Sequence, residues 1–107
     1  MLPKRERLSA AEVREVLAKG RSVKGTFASA KFLSGGSAHK IAVIVPKSLA
    51  HKATQRNRLR RAGYRALRSL TPPLPQGKIV LFVRTEPKNS PLQVAFAEDF
   101  AALLSKF

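Results

Sequence analysis

From Pro46 to Leu70 apolar and basic residues alternate at helical spacing. Leu59, Ala62, Gly63, Ala66 and Leu70 fall at i, i+3, i+4, i+7 and i+11 and form one narrow apolar stripe, with Leu67 beside it. Asn57, Arg61, Tyr64, Arg65 and Arg68 lie on the opposite side, flanked by Arg58 and Arg60. The pattern predicts a helix starting near Thr54. No acidic residue interrupts the segment. Its cationic face gains nothing from i, i+4 ion pairs and repels itself until an anion meets it.

The same reading orders the rest of the chain. Ser9-Ala10-Ala11-Glu12 has the spacing of a capping box, with Leu8 and Val13 placed for a hydrophobic staple. Gly20 offers a left-handed stop. A short helix over 10–19 follows, with Val13, Val16 and Leu17 on its apolar side. TFASAKFL (26–33) reads as a strand in which Phe27 and Phe32 have opposite parity, so it bulges or uses both faces. SGGSAH (34–39) reads as a hairpin turn and KIAVIV (40–45) as a strand buried on both faces, ended by Pro46. TPPLPQG (71–77) is a stiff loop, and KIVLFVR (78–84) is another nearly continuous apolar strand. Ser90-Pro91 suits the N-cap and first turn of a last helix over about 91–105, which buries Leu92, Phe96, Phe100, Leu103 and Phe107.

The element order is αββαβα, or αβββαβα if the first strand region divides. The helix between strands 40–45 and 78–84 makes them a parallel pair. The fold class is α+β, a small two-layer sandwich of helices over a mixed sheet. Neither repeats nor an internal boundary divide the chain, so 1–107 reads as one domain with a basic lead at 1–8.

Charge sharpens this picture. Lys and Arg number 21 against six Asp and Glu, a formal net charge of +15, and nothing from Val16 to Thr85 is negative. The usual partner that compensates such self-repulsion is nucleic acid. With 44% hydrophobic residues the chain is no disordered basic tail. It has no cysteine, which excludes disulfides, thiolate metal sites and cysteine nucleophiles. No apolar run suits a membrane span, and MLPKRERLSA lacks a signal-peptide core, so a cytoplasmic protein is expected. His39, in a turn, and His51, beside Lys52, have no sequence-near carboxylate to orient them. Glu86, Glu98 and Asp99 read as cap and surface residues, and Gly35-Gly36 is no phosphate loop. As a freestanding enzyme the chain has no catalytic residues to offer.

Arg56-Asn57-Arg58, followed by Leu59-Arg60-Arg61, sets planar hydrogen-bonding groups near a helix start, where arginine forks can hold phosphate oxygens. With Pro46-Lys47 and Lys52-Ala53-Thr54-Gln55 before it, the segment resembles the signature of the bacterial ribonuclease P protein subunit. The lead ending in Arg7-Leu8, then Lys19-Gly20 and Ser22-Val23-Lys24-Gly25, resembles that family too, over nearly the whole chain. The resemblance implies a ribosomal-protein-S5-domain-2-like fold with a left-handed βαβ crossover. It implies a protein that binds the catalytic RNA subunit and the precursor tRNA in an endoribonuclease that removes the 5′ leader. Catalysis then belongs to the RNA, with Mg²⁺ held mainly by the RNA and substrate. Neither a membrane nor an obligate protein partner is expected.

By match to the motif, Arg56, Asn57, Arg58, Arg60 and Arg61 are expected to contact the RNA subunit. Lys47, Lys52, Arg65 and Arg68 extend that surface. The resemblance also implies a cleft for the single-stranded leader between the first helix and the sheet, here assigned Val13, Leu17, Phe27, Lys31 and Phe32. The family usually carries aromatic residues on the first helix, where Val13 and Leu17 stand. Stacking therefore weakens here or shifts to Phe27 or Phe32, whose other reading is core packing. Pro46 stands where serine is usual. Tyr64 stands where arginine is common, with Arg65 one step later, and both are candidates for RNA contact. The competing readings are a structural RNA-binding protein, ribosomal or assembly factor, and a membrane-active cationic protein. The last is disfavoured because Ala62, Gly63 and Ala66 suit close packing better than lipid.

Overall fold

A computed structural model describes residues 6–35, 39–70, 76–88 and 91–107. The elements are α1 (Ala10–Lys19), β1 (Arg21–Lys24), β2 (Ala28–Ser34), β3 (His39–Ile44), α2 (Ala53–Arg68), β4 (Gly77–Val83) and α3 (Leu92–Leu104). Their order is αβββαβα, the second of the two expected. The sequence features expected at 1–5, 36–38, 71–75 and Ser90 lie outside the described residues.

The four strands form one sheet in the order β1-β2-β4-β3. β4 runs antiparallel to β2 and parallel to β3. Ile79, Val80, Leu81 and Val83 are all fully buried, and a strand apolar on both faces belongs in the middle of a covered sheet. This placement corrects the hairpin expected at 34–39. β2 and β3 do not pair, because β4 lies between them. β3 is instead an edge strand, buried on one face through Ile41 and Val43 and half-open on the other at Ala42 and Ile44.

β1 was not legible as a strand. Its sequence RSVK has one apolar residue, and it pairs only with β2, on the outer edge. β2 has no bulge, since its register with β4 is unbroken from Ala28↔Val83 to Ser34↔Gly77. The parity conflict disappears because Phe27 precedes the strand.

On one face of the sheet, Ala28, Ala30, Phe32, Ile41, Val43, Ile79, Leu81 and Val83 join the buried side chains of α2 and α3 in one core. Gly63 brings α2 close to it, because a Cβ there would stand 3.0 Å from Val43 Cγ1. α1 lies across the other face. Its capping box is present, with the Glu12 amide donating to Ser9 Oγ at 3.2 Å and the Ser9 amide donating to Glu12 Oε1 at 3.0 Å. Gly20 ends the helix but is extended (φ −73, ψ 154) and not left-handed. Glycine is needed there for proximity, since a Cβ would meet the Val16 carbonyl oxygen at 2.6 Å.

Asp99 is neither a cap nor a surface residue. It is buried on α3, where Oδ1 accepts from the Thr26 amide at 2.8 Å. Its Oδ2 accepts from Phe27 at 3.0 Å and Ala28 at 2.9 Å. One carboxylate thus fixes the β1–β2 turn to the helix layer. A Cβ on Gly25 would come 2.5 Å from Asp99 Oδ1, so the turn approaches closely enough to need glycine.

Candidate nucleic-acid interface

α2 has Lys52 as N-cap residue, with no side-chain cap bond. Its entry is held from within the helix. Arg56 donates from one guanidinium nitrogen to the carbonyls of Ala50 at 3.0 Å and His51 at 2.8 Å. Leu59, Ala62, Gly63, Ala66 and Leu67 are buried as the stripe predicts, and Leu70 is half-buried. Arg65 and Arg68 occupy the last turn, where positive charge suits the helix dipole.

Tyr64 departs from the expected arrangement. It is buried, and the Val43 amide on the outer strand donates to its hydroxyl at 3.2 Å. Of Tyr64 and Arg65, only Arg65 is exposed.

The remaining motif residues divide by partner. Glu86 lies 3.6 Å from the Arg58 guanidinium and accepts from Gln55 at 3.3 Å. Arg60 donates to the Asn57 side-chain oxygen. Arg61, Arg65 and Arg68 are exposed and have no ion pair among the described residues. Lys47, Lys52 and His51 are exposed on the loop and turn before the helix. Arg58, Arg61 and Arg65, one turn apart along α2, line a recess of about 390 Å³ with Thr54, Ala62, Leu92 and Gln93. Three guanidinium groups on one side of an open recess suit an oxyanion.

A second surface lies on the α1 face of the sheet. Val16 and Val80 are fully buried, so α1 seals this part of the face. Lys31 points to it and donates to the Leu17 carbonyl at 3.0 Å. Val13 is half-buried and Leu17 exposed. Phe32 does not line this face. It is buried in the opposite core and stacks on Phe107 with ring centroids 4.8 Å apart. Phe27 also packs against that core. The structure therefore brings together Val13, Leu17 and Lys31 of the expected cleft and separates Phe27 and Phe32 from them. It adds Ala42, Ile44 and Phe82, which alternate onto this face by strand register and are half-exposed. Strand parity alone could have found Phe82 once one residue of KIVLFVR was known to face the core.

At the α1 end, Lys78 lies 2.7 Å from Glu15 and 3.8 Å from Glu12, and Lys40 lies 3.2 Å from Glu12. The backbone hydrogen bond from Ser9, helped by Lys40, holds the Glu12 carboxyl below its ordinary range. The hydrogen bond from Lys78 does the same for Glu15, and the Lys78 ammonium is correspondingly raised. His39 opens β3 and does not sit in a turn, and its Nε2 lies 3.0 Å from Glu6. Among the described residues no three His, Asp or Glu side chains gather as a metal site needs. Glu12 and Glu15 are already matched to lysines.

These features describe a small basic α+β protein whose second helix presents Arg61, Arg65 and Arg68 without ion pairs among the described residues. The Ribonuclease P family pattern matches residues 2–107, and the chain belongs to that family. Membership implies tRNA processing and association with the ribonuclease P RNA. The fold is similar to the RNase P protein of Thermotoga maritima (TM-score 0.81, 23% identity, 95% of this chain and 97% of that one). It is also similar to the Staphylococcus aureus RNase P protein (TM-score 0.79, 17% identity, 94% of each chain). None of the curated proteins matches the sequence. Among the described residues no helix is long and apolar enough to cross a membrane.

Proposed function

We propose that this protein is the RNA-binding subunit of a cytoplasmic ribonuclease P, docking on the catalytic RNA through α2 and receiving the precursor tRNA leader on the α1 face of the sheet. The observation that carries the reading is the exposed row Arg61, Arg65 and Arg68, without ion pairs among the described residues, on a helix of the matched family. Folding places these charges together at an electrostatic cost that phosphates reverse. Arg58 and Arg60, with Lys47 and Lys52, widen the contact, and Arg56 and Asn57 shape the helix entry and its first turns. In this reading the RNA and its Mg²⁺ cleave the phosphodiester. The protein supplies affinity for the RNA and for the single-stranded leader.

The test is cleavage of a 5′-labelled precursor tRNA at low Mg²⁺ by protein alone, ribonuclease P RNA alone, and both. Activity confined to the combined reaction is expected. Cleavage by RNA-free protein overturns the reading. Tight, salt-dependent RNA binding without rescue of several such RNAs favours a structural RNA-binding role.

A further inference from the structure

Among the described residues Glu86 is the one carboxylate in contact with α2, and it meets two side chains of the helix at once. Its Oε1 accepts from Gln55 Nε2 at 3.3 Å, and its Oε2 stands 3.6 Å from Arg58 Nη2. The backbone on either side of Glu86 is anchored. The amides of Arg84 and Thr85 both donate to the Phe27 carbonyl, at 2.8 and 3.1 Å, and Pro87 is buried. Phe27 is in turn tied to α3, its own amide donating to Asp99 at 3.0 Å. The Glu86 carboxylate is therefore presented to α2 from a segment fixed to the sheet and, through Asp99, to the helix layer.

Arg58 carries this contact to the recess on α2. Its side chain is 64% exposed and lines the recess with Arg61 and Arg65, whereas Glu86 is not among the lining residues. A guanidinium has five N–H donors in a planar fork, so one contact to a carboxylate leaves another edge free for an oxyanion. Arg61 and Arg65 have no ion pair among the described residues. Arg58 thus differs from its neighbours in two respects: its direction is set before any phosphate arrives, and part of its charge is already answered. A phosphate that meets Arg58 in this arrangement leaves the ion pair intact. One that needs Arg58 turned elsewhere must displace Glu86 and face its negative charge. An attractive group paired with a repulsive one is how a surface discriminates between ligands of the same charge.

We infer that Glu86 is a specificity-determining residue of the α2 surface, positioning Arg58 for the RNA subunit and withholding it from unrelated phosphates. The inference rests on the RNA-docking reading above and gives it a residue that selects where the arginines attract. The test compares binding of the protein to ribonuclease P RNA and to poly(U) at one salt concentration. Glu86→Ala is expected to tighten poly(U) binding about threefold to fivefold, the reach of an exposed ion pair. Its salt slope on poly(U) should steepen by about 0.7, as one further phosphate contact forms. Affinity for ribonuclease P RNA does not rise with it, so the preference between the two RNAs falls. Glu86→Gln keeps the size of the side chain and an acceptor for Gln55 but not the charge. It is expected to move the preference in the same direction, and it decides the question if the alanine variant loses its cooperative melt. In an Arg58→Ala background Glu86→Ala leaves the preference unchanged. Equal tightening on both RNAs, the same shift without Arg58, or no shift in a folded variant overturns the inference. A wild-type protein that does not prefer ribonuclease P RNA to poly(U) overturns the RNA-docking reading itself, and the inference with it.

Discussion

The Val43 amide, on the outer strand of the sheet, donates to the Tyr64 hydroxyl at 3.2 Å. An edge-strand donor is thereby satisfied by a helix side chain, while Leu8 donates to the Ile41 carbonyl at 3.3 Å and covers the edge two residues earlier. Tyr64→Phe leaves the Val43 amide buried without this partner. Unfolding by urea should show a loss of about 1–2 kcal/mol. RNA affinity should be unaltered at temperatures where the variant is folded, and a loss of affinity there would place Tyr64 in the RNA contact.

Asp99→Asn should be more damaging than its small change in shape suggests. The carboxylate accepts three amides, and a carboxamide has only one oxygen to share among them. A loss of about 2–4 kcal/mol in denaturant is expected, since hydrogen bonds to charged groups contribute more than neutral ones. Amide exchange should accelerate at Thr26, Phe27 and Ala28 before the rest of the sheet.

Arg61 and Arg56 should separate binding from stability. Arg61 is exposed without an ion pair among the described residues, so Arg61→Ala should keep the wild-type melt and weaken RNA binding. If about six phosphates are engaged, log K should fall with log salt at a slope near −4 to −5, and losing one contact makes the slope shallower by about 0.7–0.9. Arg56→Ala should also lower the melting temperature, because Arg56 holds the carbonyls of Ala50 and His51. Equal melting of the two variants would contradict this division.

Acid should weaken the seat of α1. Glu12 and Glu15 have folded-state values below the ordinary 4.5, so their ion pairs contribute stability above that value and lose it as pH falls through the lowered ones. Lys78 is raised above 10.5, so its contribution is complete below that value and fades as pH rises past the raised one. Glu12→Gln with Glu15→Gln should flatten the acid limb of melting temperature against pH. Gln at position 12 can still serve the capping box, so helix α1 should persist by circular dichroism.

What could be read from the sequence was what local spacing determines. The α1 box closes across three residues, and the α2 stripe repeats within one helix, so both were legible. Asp99 was misread because its partners lie 71 to 73 residues away. The 34–39 segment was misread because a strand from much later in the chain separates the two it joins. Tyr64 sits beside Gly63 on the helix, and no period reveals that its side chain reaches the edge strand. On the α1 face of the sheet, Val13, Leu17 and Lys31 were named through the resemblance, but Phe82 was hidden inside an apolar run with no visible alternation.

The central position of β4 also sets an order of events. Among the described residues β3 has only β4 as a strand partner, apart from the short bridge at Arg7, and β4 is the last strand. Until residues 77–83 have left the ribosome, β1 and β2 can form a hairpin but β3 has no neighbour in the sheet. Local helix formation in the arginine segment can precede closure of the layer that supports it. Such non-local closure slows folding relative to helix formation. During synthesis the positive charges of α2 therefore emerge before their scaffold exists, and the nascent chain carries its arginine-rich segment ahead of its fold.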